Sequence, residues 1–106
     1  MSMSDMGQIE RIRGMEALLN ECTEAVNAYE ESLERFEAIQ QKIKTLSDYY
    51  GSGDWYDDCE ARELGRLPDD LRCGVLSEDL AYDVITGNRD AAIRMLEIAT
   101  GILKKL

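Results

Sequence analysis

The chain has 106 residues, 44% hydrophobic and 32% charged, with 22 acids against 12 bases, no histidine and a net charge of −10. One domain, 1–106, is expected at this length, near the size where a single core suffices without staples, and the apolar content excludes a disordered chain. Lack of histidine and of a Cys-x-x-Cys pair removes the usual zinc frameworks, apolar runs of only a few residues exclude a membrane span, and the acidic balance disfavours nucleic acid.

The opening Met-Ser-Met-Ser-Asp-Met has neither the basic start nor the apolar stretch of a signal peptide, so the cytoplasm is the expected address. A long helix is expected over about 8–50. Its apolar residues Ile12, Met15, Leu19, Cys22, Val26, Tyr29, Leu33 and Phe36 step alternately by three and four, which keeps one helical face apolar for more than three heptads. No proline interrupts the stretch, and its interior Gly14 costs about 1 kcal/mol relative to alanine. Glutamates load the outer faces, while Lys42 and Lys44 suit the negative end of the helix dipole. After Phe36 the pattern drifts: Gln40 takes an apolar position, and Ile39, Ile43, Leu46 and Tyr50 continue in a shifted phase. Such drift argues against a long uniform two-stranded coiled coil and suits a helix whose two ends face different neighbours. The seam requires that the helix lie against something. It names no reaction.

Gly51-Ser52-Gly53 breaks the rod, and Asp54 is the expected cap of a short amphipathic helix over 55–63, ended at Gly65. Pro68 blocks continuation, and 69–73 allow one further turn closed by Gly74. Ser77 is a good N-cap, with Glu78 and Asp79 in the favourable first turn, for a last helical stretch reaching about Lys105. Thr86-Gly87-Asn88 is expected to split or kink it, and Ala92, Leu96, Ala99, Leu103 and Leu106 give it a seam. The fold predicted is all-α. It is an elongated helical hairpin or bundle in which one long N-terminal helix (about 8–50) packs against a broken return arm, a connector with a short helix (51–76) and C-terminal helices (77–105).

Tyr49-Tyr50-Gly51-Ser52, Trp55, Gly65-Arg66-Leu67-Pro68-Asp69-Asp70-Leu71-Arg72 and Gly74-Val75-Leu76-Ser77-Glu78-Asp79 form the most specific part of the chain. With Gln8-Ile9-Glu10-Arg11-Ile12, Asn88-Arg89 and Arg94-Met95-Leu96-Glu97, they make it resemble the bacterial family known as domain of unknown function 4298, over about 8–103. The resemblance implies a bacterial, cytosolic, all-helical protein and brings no activity, cofactor or catalytic residue. Cys73 departs from it, standing before Gly74 where a basic residue is expected.

The residues offer few chemical sites. Cys22, Cys59 and Cys73 are an odd, widely spaced set read as reduced thiols, since a thiol nucleophile normally needs a histidine that is absent here. Asp54-Trp55-Tyr56-Asp57-Asp58-Cys59-Glu60 lacks the alternating acids and central glycine of an EF-hand, and on a helix its carboxylates diverge, so no metal ligand is assigned. Gly51-Ser52-Gly53 is too short for a phosphate loop. No catalytic residue and no cofactor are expected.

The candidate interaction or ligand surface is Tyr50, Trp55, Tyr56, Arg66 and Arg72. Its aromatics either mark a partner site or pack the end of the hairpin, with packing favoured for Trp55 because Cys59 gives it an inward face. The two arginines are expected to pair with Asp69, Asp70 or Glu78, or to hold an anion beside the Ser77 helix. The leading expectation is a non-catalytic interaction or small regulatory protein with an unidentified protein partner. The alternative is a small-molecule or metal-binding enzyme using 50–79, and a weaker third is an acidic mimic of DNA. A homodimer of two antiparallel hairpins is expected, because the apolar face is broad, with no nucleic acid and no membrane as partner. Aspartate at Val26 or Leu33 should then unfold the protein or dissociate it.

Overall fold

A computed structural model describes the chain from Met3 onward, with side chains from Asp5; of the opening Met-Ser-Met-Ser-Asp-Met, the first two residues lie outside the described residues. The architecture is all-α: α1 (Met3–Tyr49), α2 (Gly53–Glu63), a 3-10 turn (Gly74–Leu76) and α3 (Glu78–Lys105), with no strand among the described residues. A long N-terminal helix followed by shorter helical segments is therefore the observed order. The chain forms two compact units, one reaching to Ile39 and the other Gln40–Leu106, divided inside α1.

In the first unit the seam of α1 faces solvent. Ile12, Met15, Leu19, Val26 and Tyr29 are each more than half exposed, from 52% at Tyr29 to 60% at Met15, and Cys22 is exposed as well. Among the described side chains of that unit, Ile9, Leu33 and Phe36 alone are half-buried. Aspartate at Val26 would thus enter water, not a core.

The second unit is built around a reversal of the chain. Gly51, with φ +78°, makes the turn after α1 that only glycine adopts without strain. Ser52, and not Asp54, caps α2: its hydroxyl accepts from the Trp55 N–H at 3.2 Å, and Asp54 lies in the first turn where the dipole favours a carboxylate. At the other end Gly65 (φ +68°) donates its N–H to the Arg62 carbonyl and Arg66 donates to that of Ala61, a Schellman closure. Helix does not resume at 69–73. Leu71 N–H bonds the Pro68 carbonyl in a simple turn, and the helical turn falls later, at Gly74–Leu76. Ser77 then caps α3 by accepting from Leu80 N–H at 3.3 Å, and its own hydroxyl donates to the Gly74 carbonyl at 2.8 Å.

α3 is continuous through Thr86-Gly87-Asn88, with no split. Inside the continuous helix the Asn88 amide exchanges two hydrogen bonds, 2.9 and 3.0 Å, with the amide of Gln40 on α1. Together with the Tyr50 hydroxyl donating to the Glu78 carbonyl at 3.0 Å, this pairs the end of α1 with the start of α3 in antiparallel sense. Ile43 and Leu46 on α1, Tyr50 just after it, and Ala81, Ile85, Asn88, Ala91 and Met95 on α3 are among the less exposed positions. The apolar line at Leu96, Leu103 and Leu106 is instead exposed. The reason is the phase that Asn88 imposes: the inward stripe of α3 mixes Ile85 and Met95 with two alanines and an asparagine, which a search for the strongest apolar line passes over.

The mutual amide pair generates a test. Gln40→Leu alone, or Asn88→Leu alone, removes both bonds between the amides and should destabilise by about 1 kcal/mol, whereas the double replacement should cost less than the two losses added. Urea unfolding of all four proteins closes the cycle, and additive losses would show the two amides to be independent.

Candidate functional site

Trp55 lies in the first turn of α2 and is one of two buried hydrophobic residues among those described, at 8% exposure, the other being Ala81. Its indole N–H donates to the Val75 carbonyl at 3.0 Å, and one turn later the Cys59 thiol approaches the Leu76 carbonyl at 3.6 Å. Trp55 and Cys59 thus hold the 3-10 turn against α2 through the spacing of four that puts both on one helical face. Tyr50 and Tyr56 meet the indole edge-to-face, with ring centroids 5.1 and 5.0 Å away. Tyr50 is half-buried, while Tyr56 is exposed.

Of the five candidate residues the three aromatics cluster, and the two arginines stand apart from them. Trp55 and Tyr56 border an open groove of about 730 Å³ with Arg62, Glu63, Leu76 and Glu78. Arg72 lines a separate, smaller cleft of about 360 Å³ with Tyr49, Asp58, Leu71 and Cys73. Arg66 is exposed. The ion pairs among the described residues join Arg13 to Glu10, Lys44 to Asp48 and Arg94 to Glu97, so neither Arg66 nor Arg72 has the carboxylate partner expected of it. All three pairs are exposed and local, each worth at most about 0.5 kcal/mol.

The strongest polar contact near the clefts was not legible in the sequence. The Tyr49 hydroxyl donates to Asp58 at 2.5 Å, which ties the last residue of α1 to α2. That bond, with some burial and the negative field of Asp58, pushes the Tyr49 phenol up to about 12. Asp58 is therefore an exposed carboxylate that also takes part in a bond between elements. Among the described residues, no three Cys, Asp or Glu side chains are grouped to hold a metal ion.

Helices alone, with a tryptophan-anchored turn between α2 and α3, define the class of protein. Residues 12–98 match the family described as domain of unknown function DUF4298, and the chain belongs to it. No curated protein matches the chain.

Two outcomes follow from these contacts. Trp55→Phe keeps a ring but strands the Val75 carbonyl, and should cost about 1–2 kcal/mol in urea unfolding followed by circular dichroism. For Tyr49 the folded pKa lies above its ordinary 10.0. Its bond to Asp58 therefore contributes in full below pH 10.0 and is lost as pH rises through about 12. Titration of phenolate absorbance should show that late step, absent in Tyr49→Phe and moved down towards 10.0 in Asp58→Asn.

Proposed function

We propose that this chain is a non-catalytic interaction protein of bacteria that works in the cytoplasm through the seam of α1. The observation that carries this reading is the continuous apolar line at Ile12, Met15, Leu19, Val26 and Tyr29, every residue of it more than half exposed. Scattered apolar residues on a surface are ordinary, but a contiguous stripe at helical spacing is the form in which one helix receives another. Leu18 widens it on one side. The acidic remainder of the chain keeps such a surface soluble and repels phosphate backbones, which supports a protein partner over nucleic acid. No helix among the described residues is long and apolar enough to cross a membrane.

A second reading, a ligand-binding or enzymatic role for 50–79, draws support from the groove beside Trp55, which has the size of a small-molecule site. The separation of Trp55 from Arg72 counts against it, because the aromatic and cationic groups expected to meet one ligand border different clefts.

Leu19→Asp and Val26→Asp test the leading reading. Both side chains face solvent, so unfolding free energy should stay within about 0.5 kcal/mol of the parent while association through α1 is lost. Calorimetry on the variants, paired with a binding assay, checks both halves. Association unchanged in both variants would refute the seam as the working surface.

A further inference from the structure

We propose that the occupant of the α1 seam is a second copy of this chain, docked in parallel and in register over residues 12–29. The inference rests on the reading of the seam as a docking surface and goes on to name what fills it. Three features of the seam select this partner and orientation.

The first is the distribution of side-chain shapes. Ile12, Leu19 and Val26 form one line of the seam and Met15, Cys22 and Tyr29 the other. β-branched residues fall only in the first line, and the second is unbranched at Cβ, a shape pattern that among parallel coiled coils goes with two strands over three or four.

The second is charge. Arg11 flanks Ile12 and Glu16 flanks Met15, and neither has an ion-pair partner in its own chain among the described residues. In a parallel, in-register pair Arg11 meets the partner's Glu16, twice by symmetry. The next flanking positions set Leu18 beside the partner's Thr23 and Ala25 beside the partner's Glu30, so no two acids oppose each other despite a charge of −10 on each copy. An antiparallel pair that matches Ile12 with the partner's Tyr29 sets Arg11 against Ser32 and Glu16 against Thr23, and forms no ion pair.

The third is area. Six seam side chains, each with about 100 Å² open to solvent, would bury about 1,200 Å² between two copies, the lower edge of a specific interface. The dimer is accordingly concentration-dependent.

The test uses the full chain carrying Cys59→Ser and Cys73→Ser, which leaves Cys22 as its single thiol. In the parallel register Cys22 faces the partner's Cys22 across the seam, close enough for a disulfide, whereas in the antiparallel pair it faces Leu19. Light scattering across a concentration series should rise from the 12.0 kDa of one chain to twice that mass. Copper–phenanthroline oxidation should then link the pair. Adding Leu19→Asp should abolish both the doubled mass and the link while the helical circular dichroism stays unchanged. A doubled mass without the Cys22 link overturns the parallel register. A single mass at every concentration overturns the second copy; should Leu19→Asp still abolish binding to another protein, the seam remains the docking surface and only its occupant changes. A doubled mass that survives Leu19→Asp overturns both this inference and the reading beneath it.

Discussion

The second unit depends on the indole N–H of Trp55 reaching the Val75 carbonyl. A 3-10 turn leaves carbonyls without helical partners, and a half-buried carbonyl must find a donor or forfeit the hydrogen bonds it made to water. Trp55 supplies one, the Cys59 thiol approaches the next, and Tyr50 supplies another to Glu78 at the head of α3. Three side chains before the loop thus satisfy three backbone carbonyls after it. With the turn fixed, Gly74 lies where any Cβ would stand 3.2 Å from the Leu80 side chain, and Ser77 is placed to cap α3.

Further along, direction gives way to phase. Helices meeting through apolar residues alone can rotate about their axes at modest cost, because dispersion contacts carry little directional preference. The reciprocal amides of Gln40 and Asn88 are directional and half-buried, so a rotated α3 would break both bonds between them. Small residues follow on the same face: Ala81 is buried and Ala91 half-buried. A polar lock between these alanines and the half-buried Ile43, Leu46, Ile85 and Met95 gives this helix pair its register.

The first unit is organised on the opposite principle. Its seam carries the apolar bulk and almost none of the burial, and its ion pair, Arg13 with Glu10, is fully local. The chain stabilises one unit with aromatic anchoring and amide pairing and leaves an apolar heptad line open in the other. The aromatic cluster fits the same division. Trp55 and Tyr50 are committed to the fold by hydrogen bonds, and Tyr56 alone of the three is largely exposed.

By itself the sequence determined the helices and most of their ends. Backbone punctuation is local: Gly51 and Gly65 take positive φ, Pro68 cannot continue a helix, and Ser77 caps one, each through its own covalent structure. It also placed Trp55 and Cys59 inward from a spacing of four. It misjudged the break at Gly87, because a glycine that is a poor helix former in isolation is carried by neighbours on both sides in a continuous helix. The turn expected at 69–73 formed instead at Gly74–Leu76, where the Trp55 and Cys59 donors act, and those lie some twenty residues away in the chain. Only tertiary structure decided that Gln40 meets Asn88, that Tyr49 binds Asp58 and that Trp55 and Arg72 line separate clefts. Such pairings join residues far apart in sequence or on different elements, and nothing in local periodicity encodes which polar groups will meet when the chain turns back.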